Sequence, residues 1–181
     1  KEFISKYPNG NAISLNNGIS FSIETSAAFE DKISSGLLPF VFCARLEEKN
    51  GISLLLLGYK KYLERGGERR LVIVGEGKES HILSKFLEQN TAVAASIDRK
   101  GLLPKNEADK CISKSSFMVH PFGIGLSIVS AFAARIPLIA CDNPKFHMPE
   151  FWLFKDGVTG LSFSADGNSA ENLALTLQKA D

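Results

Sequence analysis

Three side chains able to do chemistry fall directly at the ends of apolar runs that read as buried strands. Arg45 follows Phe40–Ala44, Glu76 lies within Gly75-Glu76-Gly77 after Leu71–Val74, and His120 ends the run Phe117–His120. A guanidinium at a strand's carboxyl end can grip a phosphate through two parallel hydrogen bonds. Lys49 follows on the same loop, and two cations there would hold a diphosphate without a metal. The alternative is that both are surface charges paired with Glu47 and Glu48. The glycines beside Glu76 would let a flat base approach the backbone, with Glu76 accepting from base or ribose; the alternative is a plain turn. His120 can donate to a sugar hydroxyl or a phosphate, or be a satisfied structural residue. After it, Gly123, Ile124, Gly125 and Leu126 feed a helix bearing Ser127 and Ser130. Main-chain amides at the positive end of a helix dipole suit an anion, although the glycines also serve a tight strand-to-helix turn.

Other chemistries lack their signatures. No G-x-S-x-G occurs, no His–Asp spacing supports a hydrolase triad, and neither a Walker motif nor an opening G-x-G-x-x-G is present. Kinase, nucleotide triphosphatase and dehydrogenase readings are disfavoured. His81 and His147 stand alone and receive no role. Cys43, Cys111 and Cys141 are far apart, odd in number and without metal spacing, which suggests a reducing compartment.

These side chains need a scaffold, and strand and helix alternate to supply one. The periodicity predicts strands at Phe40–Ala44, Leu71–Val74, Ala92–Ala95, Phe117–His120, Leu138–Ala140 and Leu161–Ser164. Helices are predicted at Ile52–Glu64, Glu79–Gln89 and Asn106–Lys114, through Ile128–Ile136 until Pro137, and after Asn168, with Glu171 at the capping-box position. Such alternation gives an α/β fold, a Rossmann-like doubly wound parallel sheet with helices on both faces. Ligands of these sheets bind at the carboxyl ends of the strands. Residues 1–36 are polar and turn-rich, with a short strand at Ala12–Leu15, and read as a linker or edge segment leading in from a missing N-terminal domain. Residues 37–181 read as the folded domain.

The chain has 181 residues, 44% of them hydrophobic, and a formal net charge of +1. That balance gives no electrostatic case for nucleic acid or an acidic membrane surface. No run is long enough for a transmembrane helix.

The local wording resembles the C-terminal, donor-binding domain of group 1 (family 4) glycosyltransferases, one half of the GT-B fold. Asn17-Gly18-Ile19, Phe42-Cys43-Ala44-Arg45-Leu46 with Gly51, Leu71 through Gly77, Gly125-Leu126 through Ala140, and Asp156 through Leu161 follow the family's order. The resemblance implies a nucleotide-diphosphate sugar, UDP- or GDP-linked, bound in a cleft between two domains. The sugar would pass with retention, and without a metal, to a polysaccharide, lipopolysaccharide or glycolipid acceptor. No further cofactor is implied. Arg45 would contact the diphosphate, the amides around Gly123 to Leu126 would serve phosphate or sugar, and Glu76 would lie beside the base. It also implies a cytoplasmic protein, peripheral to the inner face of the membrane only through the missing part.

The departures from the family are local. Its spaced pair of glutamates falls here on Phe122 and Ser130, the lysine before its glycine on Asn50, and the glycine before its second strand on Arg135. Lys49 is displaced by one place. Two further readings therefore stay open: a non-catalytic GT-B-like binding module that has lost the donor site, and a sugar-nucleotide epimerase relative.

Overall fold

Phe40, Val41 and Phe42 are all wholly buried, so the strand they form is covered on both faces. The computed structural model describes residues 37–181; the expected linker and the strand at Ala12–Leu15 lie outside them. Six strands form one sheet: β1 (Phe40–Cys43), β2 (Leu71–Val74), β3 (Ile97–Gly101), β4 (Phe117–Val119), β5 (Leu138–Cys141) and β6 (Gly160–Phe163). Their order is β3-β2-β1-β4-β5-β6, and every neighbouring pair is parallel. The expected doubly wound α/β fold is the one observed.

The helices are α1 (Ile52–Glu64), α2 (Ser80–Gln89), α3 (Thr91–Ala94), α4 (Lys105–Ser113), α5 (Ser127–Ala133) and α6 (Ser169–Lys179). Alternation along the strands divides the core in two. Phe40, Phe42, Ile73, Val119, Ile139 and Phe163 pack with Leu55, Tyr59 and Tyr62 of α1 and Leu173 and Leu177 of α6. Val41, Val74, Met118, Leu138 and Ala140 pack with Ile112 of α4 and Ile128 and Ala131 of α5. Helices α1 and α6 approach closely because α1 carries Gly58, where a Cβ would sit 2.7 Å from Leu173 Cδ2.

Three local expectations are corrected. Ala92–Ala95 is not a strand: its small residues form α3, and the strand follows at Ile97–Gly101. That strand sits at the sheet edge, so Arg99 and Lys100 stay exposed and no apolar run marks it. Glu171 does not close a capping box. The Asn168 side chain makes no cap bond, and Glu171 instead pairs with Lys61, at 3.2 Å, and with Arg65 across the α1–α6 contact. Helix α5 stops at Ala133, before Pro137, in a Schellman turn: Ile136 N–H donates to Ala131 O (3.0 Å) and Arg135 N–H to Phe132 O (3.0 Å).

The chain winds from β1 outward to β2 and β3, and from β4 the other way to β5 and β6. The order reverses between β1 and β4, so their carboxyl-end loops diverge there and leave a crevice.

Candidate functional site

The loop after β1 is pinned from within. Glu47 N–H donates to Arg45 O (2.9 Å), Asn50 N–H to Glu47 O (2.9 Å) and Asn50 Nδ2 to Arg45 O (2.7 Å). Asn50 is buried, and a short 3-10 turn, Glu48–Asn50, ends at Gly51 with φ 73°. The loop is also tied to its neighbour after β2, since Leu46 N–H donates to Glu76 O (3.1 Å) and Leu46 O accepts from Glu79 N–H (2.9 Å). From this frame the side chains of Arg45 and Lys49 project into solvent, 73% and 61% exposed, and both flank Glu47. Arg45 Nη1 lies 3.5 Å from Glu47 Oε1 and Lys49 Nζ lies 3.3 Å from Glu47 Oε2. The pairing considered as the alternative therefore exists, through Glu47.

The loop after β4 meets the first loop at the backbone. Gly123 has φ 67°, and a Cβ there would sit 2.4 Å from Asn50 Oδ1 and 2.6 Å from Lys49 O. A Cβ on Gly51 would in turn sit 2.8 Å from Phe122 Cδ2. Phe122 is half-buried between Gly51 and the Phe146 ring, whose centroid is 5.1 Å from its own. Of the four amides expected to face an anion, Gly123 N–H donates to Phe146 O (2.8 Å) and Ile124 N–H to His147 Nδ1 (3.4 Å). The first turn of α5 is closed by Ile128 N–H to Gly125 O (3.2 Å) and Val129 N–H to Leu126 O (3.1 Å). Ser130 lies half-buried on α5, and Leu126 is exposed.

His147, which has no role on sequence grounds, braces this loop. Its Nε2 lies 3.0 Å from Cys141 O, and its ring stacks on Phe151 at 3.9 Å. Donating there and accepting at Nδ1 describes a neutral ring, and burial lowers its pKa. The histidine sits in an irregular segment far along the chain, so no periodicity could have found it.

His120 is buried, 2% exposed, with its ring tilted against Phe42 at 5.4 Å. Among the described residues its Nδ1 has no hydrogen-bond partner. Burial brings its pKa down to about 4, against a hydrogen bond with the Phe122 backbone that pulls upward. It is neutral at ordinary pH.

Glu76 is already engaged. Arg99 Nη2 reaches its two carboxylate oxygens at 3.0 and 3.2 Å, and Ser80 Oγ donates to Oε2. The Ser80 hydroxyl and then Arg99 hold the carboxyl below its usual range. The glycines beside it are explained by packing: a Cβ on Gly75 would sit 1.9 Å from Ala44 O, and one on Gly77 2.3 Å from Leu46 O.

The structure thus brings Arg45, Lys49 and the Gly123 turn to the reversal point, with Glu76 one loop further out and His120 beneath. The three cysteines are free, and burial pushes Cys43 up to about 11. Among the described residues no group of three or more His, Cys, Asp or Glu is placed to hold a metal ion, and no helix is long and apolar enough to cross a membrane.

Known proteins share this frame. The pneumococcal O-GlcNAc transferase GtfA, solved with UDP and GlcNAc, superposes with TM-score 0.64 at 18% identity, over 78% of this chain and 29% of its own. A point mutant of S. aureus TarM, solved with Fondaparinux, alpha-GlcNAc-glycerol and UDP, gives 0.69 at 16% identity, over 98% and 34%. Anabaena Alr3699/HepE with UDP gives 0.64 at 15% identity, over 86% and 43%. The chain spans less than half the length of each. No curated protein matches it in sequence. Residues 39–180, most of the chain, match the family described as "Glycosyl transferases group 1". With the parallel sheet and its two meeting loops, this places the chain among the group 1 glycosyltransferases.

Proposed function

We propose that this chain is the donor-binding part of a glycosyltransferase and holds a nucleotide-diphosphate sugar at the reversal point of its sheet. The observation that carries the reading is the pinned loop bearing Arg45 and Lys49, in backbone contact with the Gly123 turn. Both cations are exposed enough to meet a diphosphate. Their charge would stabilise the leaving diphosphate as the glycosidic bond breaks, which is electrostatic catalysis. With Gly123 and Ile124 engaged, the amides of Gly125 and Leu126 have no backbone partner among the described residues and would serve phosphate or sugar. The base would lie toward the Glu76 loop. His120, neutral, would accept from a sugar hydroxyl at Nδ1, its ring nitrogen without a partner among the described residues. Retention at the anomeric carbon, independence of metal, a polysaccharide, lipopolysaccharide or glycolipid acceptor and a cytoplasmic location belong to the same proposal. That three structural neighbours were solved with UDP supports the choice of nucleotide.

The test is calorimetric titration with UDP and GDP. Saturable binding that weakens about tenfold in Arg45→Ala supports the reading. Silence at millimolar concentrations of both nucleotides would sink it.

A second reading, a binding module without turnover, is favoured by Phe122, which stands in sequence where the resemblance places a family glutamate and whose ring lies against Gly51. Release of nucleotide from a sugar donor by the full-length protein excludes it, whereas donor binding without release across a panel supports it.

A further inference from the structure

The site already contains an anion of its own. Glu47 spends one carboxylate oxygen on each cation, Oε1 toward Arg45 and Oε2 toward Lys49. Its side chain is the least exposed of the three, at 26%. Its backbone is also the hub of the loop, donating to Arg45 O and accepting from Asn50 N–H. The carboxylate is therefore carried on the same short loop as both cations, and the rotamers of the three side chains set how they meet. The three side chains sum to one positive charge rather than two.

We propose that Glu47 is a built-in competing anion that sets how tightly the Arg45–Lys49 pair holds a phosphate ester. This rests on the nucleotide reading above. An incoming diphosphate must share both cations with the Glu47 carboxylate or turn it aside. Each exposed ion pair so disturbed is weak, but the repulsion between Glu47 and the ligand grows with the ligand's charge. Glu47 thus weakens UDP more than UMP. In a transferase the nucleoside diphosphate is both leaving group and product, so a carboxylate ready to reclaim the cations favours its departure.

The experiment is calorimetric titration of UDP and UMP onto the 181-residue chain and its Glu47→Gln, Glu48→Gln and Arg45→Ala variants. Glu48→Gln removes the same charge one residue along and serves as the control. At low salt, Glu47→Gln should bind UDP about threefold to tenfold more tightly than wild type. The gain should be smaller for UMP, smaller in Glu48→Gln, and should shrink at high salt. Glu47→Asp, with a shorter reach, should fall between wild type and Glu47→Gln. If wild type binds UDP and Arg45→Ala loses it, yet Glu47→Gln matches wild type or Glu48→Gln, this inference falls and the nucleotide reading stands. If none of the proteins binds UDP, both fall.

Discussion

Asn50 and Gly123 touch across the gap between β1 and β4, with only 2.4 Å between Asn50 Oδ1 and the place a Cβ on Gly123 would take. The same Asn50 holds Arg45 O through its Nδ2 at 2.7 Å. One buried amide therefore sets both the course of the cationic loop and its distance from the glycine turn. Gly123 also has φ 67°, a region costly to side chains. Gly123→Ala meets strain and collision together, because the other near atom is the backbone oxygen of Lys49 at 2.6 Å. We expect a loss of about 2–3 kcal/mol in urea unfolding. A loss below about 0.5 kcal/mol, the range of neutral surface changes, would show that the two loops part easily and that their contact does not shape the site.

Arg135 is the one non-glycine residue with positive φ among those described, at 58°. It occupies the left-handed position of the Schellman turn that ends α5, where glycine usually sits. Its side chain is exposed, so little packing offsets the backbone strain. Arg135→Gly relieves that strain, partly countered by the greater freedom of glycine in the unfolded chain. The net expectation is a gain of about 1 kcal/mol, or several degrees in Tm. A variant no more stable than wild type would mean that Arg135 contributes contacts large enough to cancel its own strain.

How far the sequence could be read depended on what each element buries. β1, β2, β4 and β5 sit inside the sheet, buried on both faces, and announce themselves as apolar runs. β3 lies at the edge with Asp98, Arg99 and Lys100, so it carries no apolar signal, and the helical alanines before it imitate one. The candidate site was legible where it depended on position: Arg45, Glu76 and His120 all follow strands, and strand ends are where a parallel sheet offers a site. It was illegible where it depended on contact. Nothing in the spacing of Glu47 tells that it takes both cations rather than sharing them with Glu48. Nothing local to His147 tells that its ring spans from Ile124 N–H to Cys141 O. Phe122 could be seen to replace a carboxylate, but not that its ring closes over Gly51. The contacts of His147 and Phe122 join loops that only the completed sheet sets side by side, whereas that of Glu47 is local but turns on side-chain rotamers that spacing does not fix.

His120 makes stability depend on pH, with a sign fixed by its burial. Its ordinary value is 6.5, and in the folded protein it is lowered to about 4. Between those values the unfolded chain holds a proton that the folded chain does not. Stability from the neutral ring is therefore complete above pH 6.5 and is lost as pH falls toward 4. From pH ~7 to pH ~5 the loss should be about 2 kcal/mol. His147 is lowered too, chiefly by burial, and acts in the same direction. His120→Phe keeps a ring beside Phe42 and removes the titration. Urea unfolding at the two pH values should show most of the difference vanish in this variant, leaving the share of His147. If the variant keeps the full pH dependence of wild type, His120 is not held neutral by its burial. Its Nδ1 would then find a partner in solution, and the idea that it waits for a ligand oxygen would fail with it.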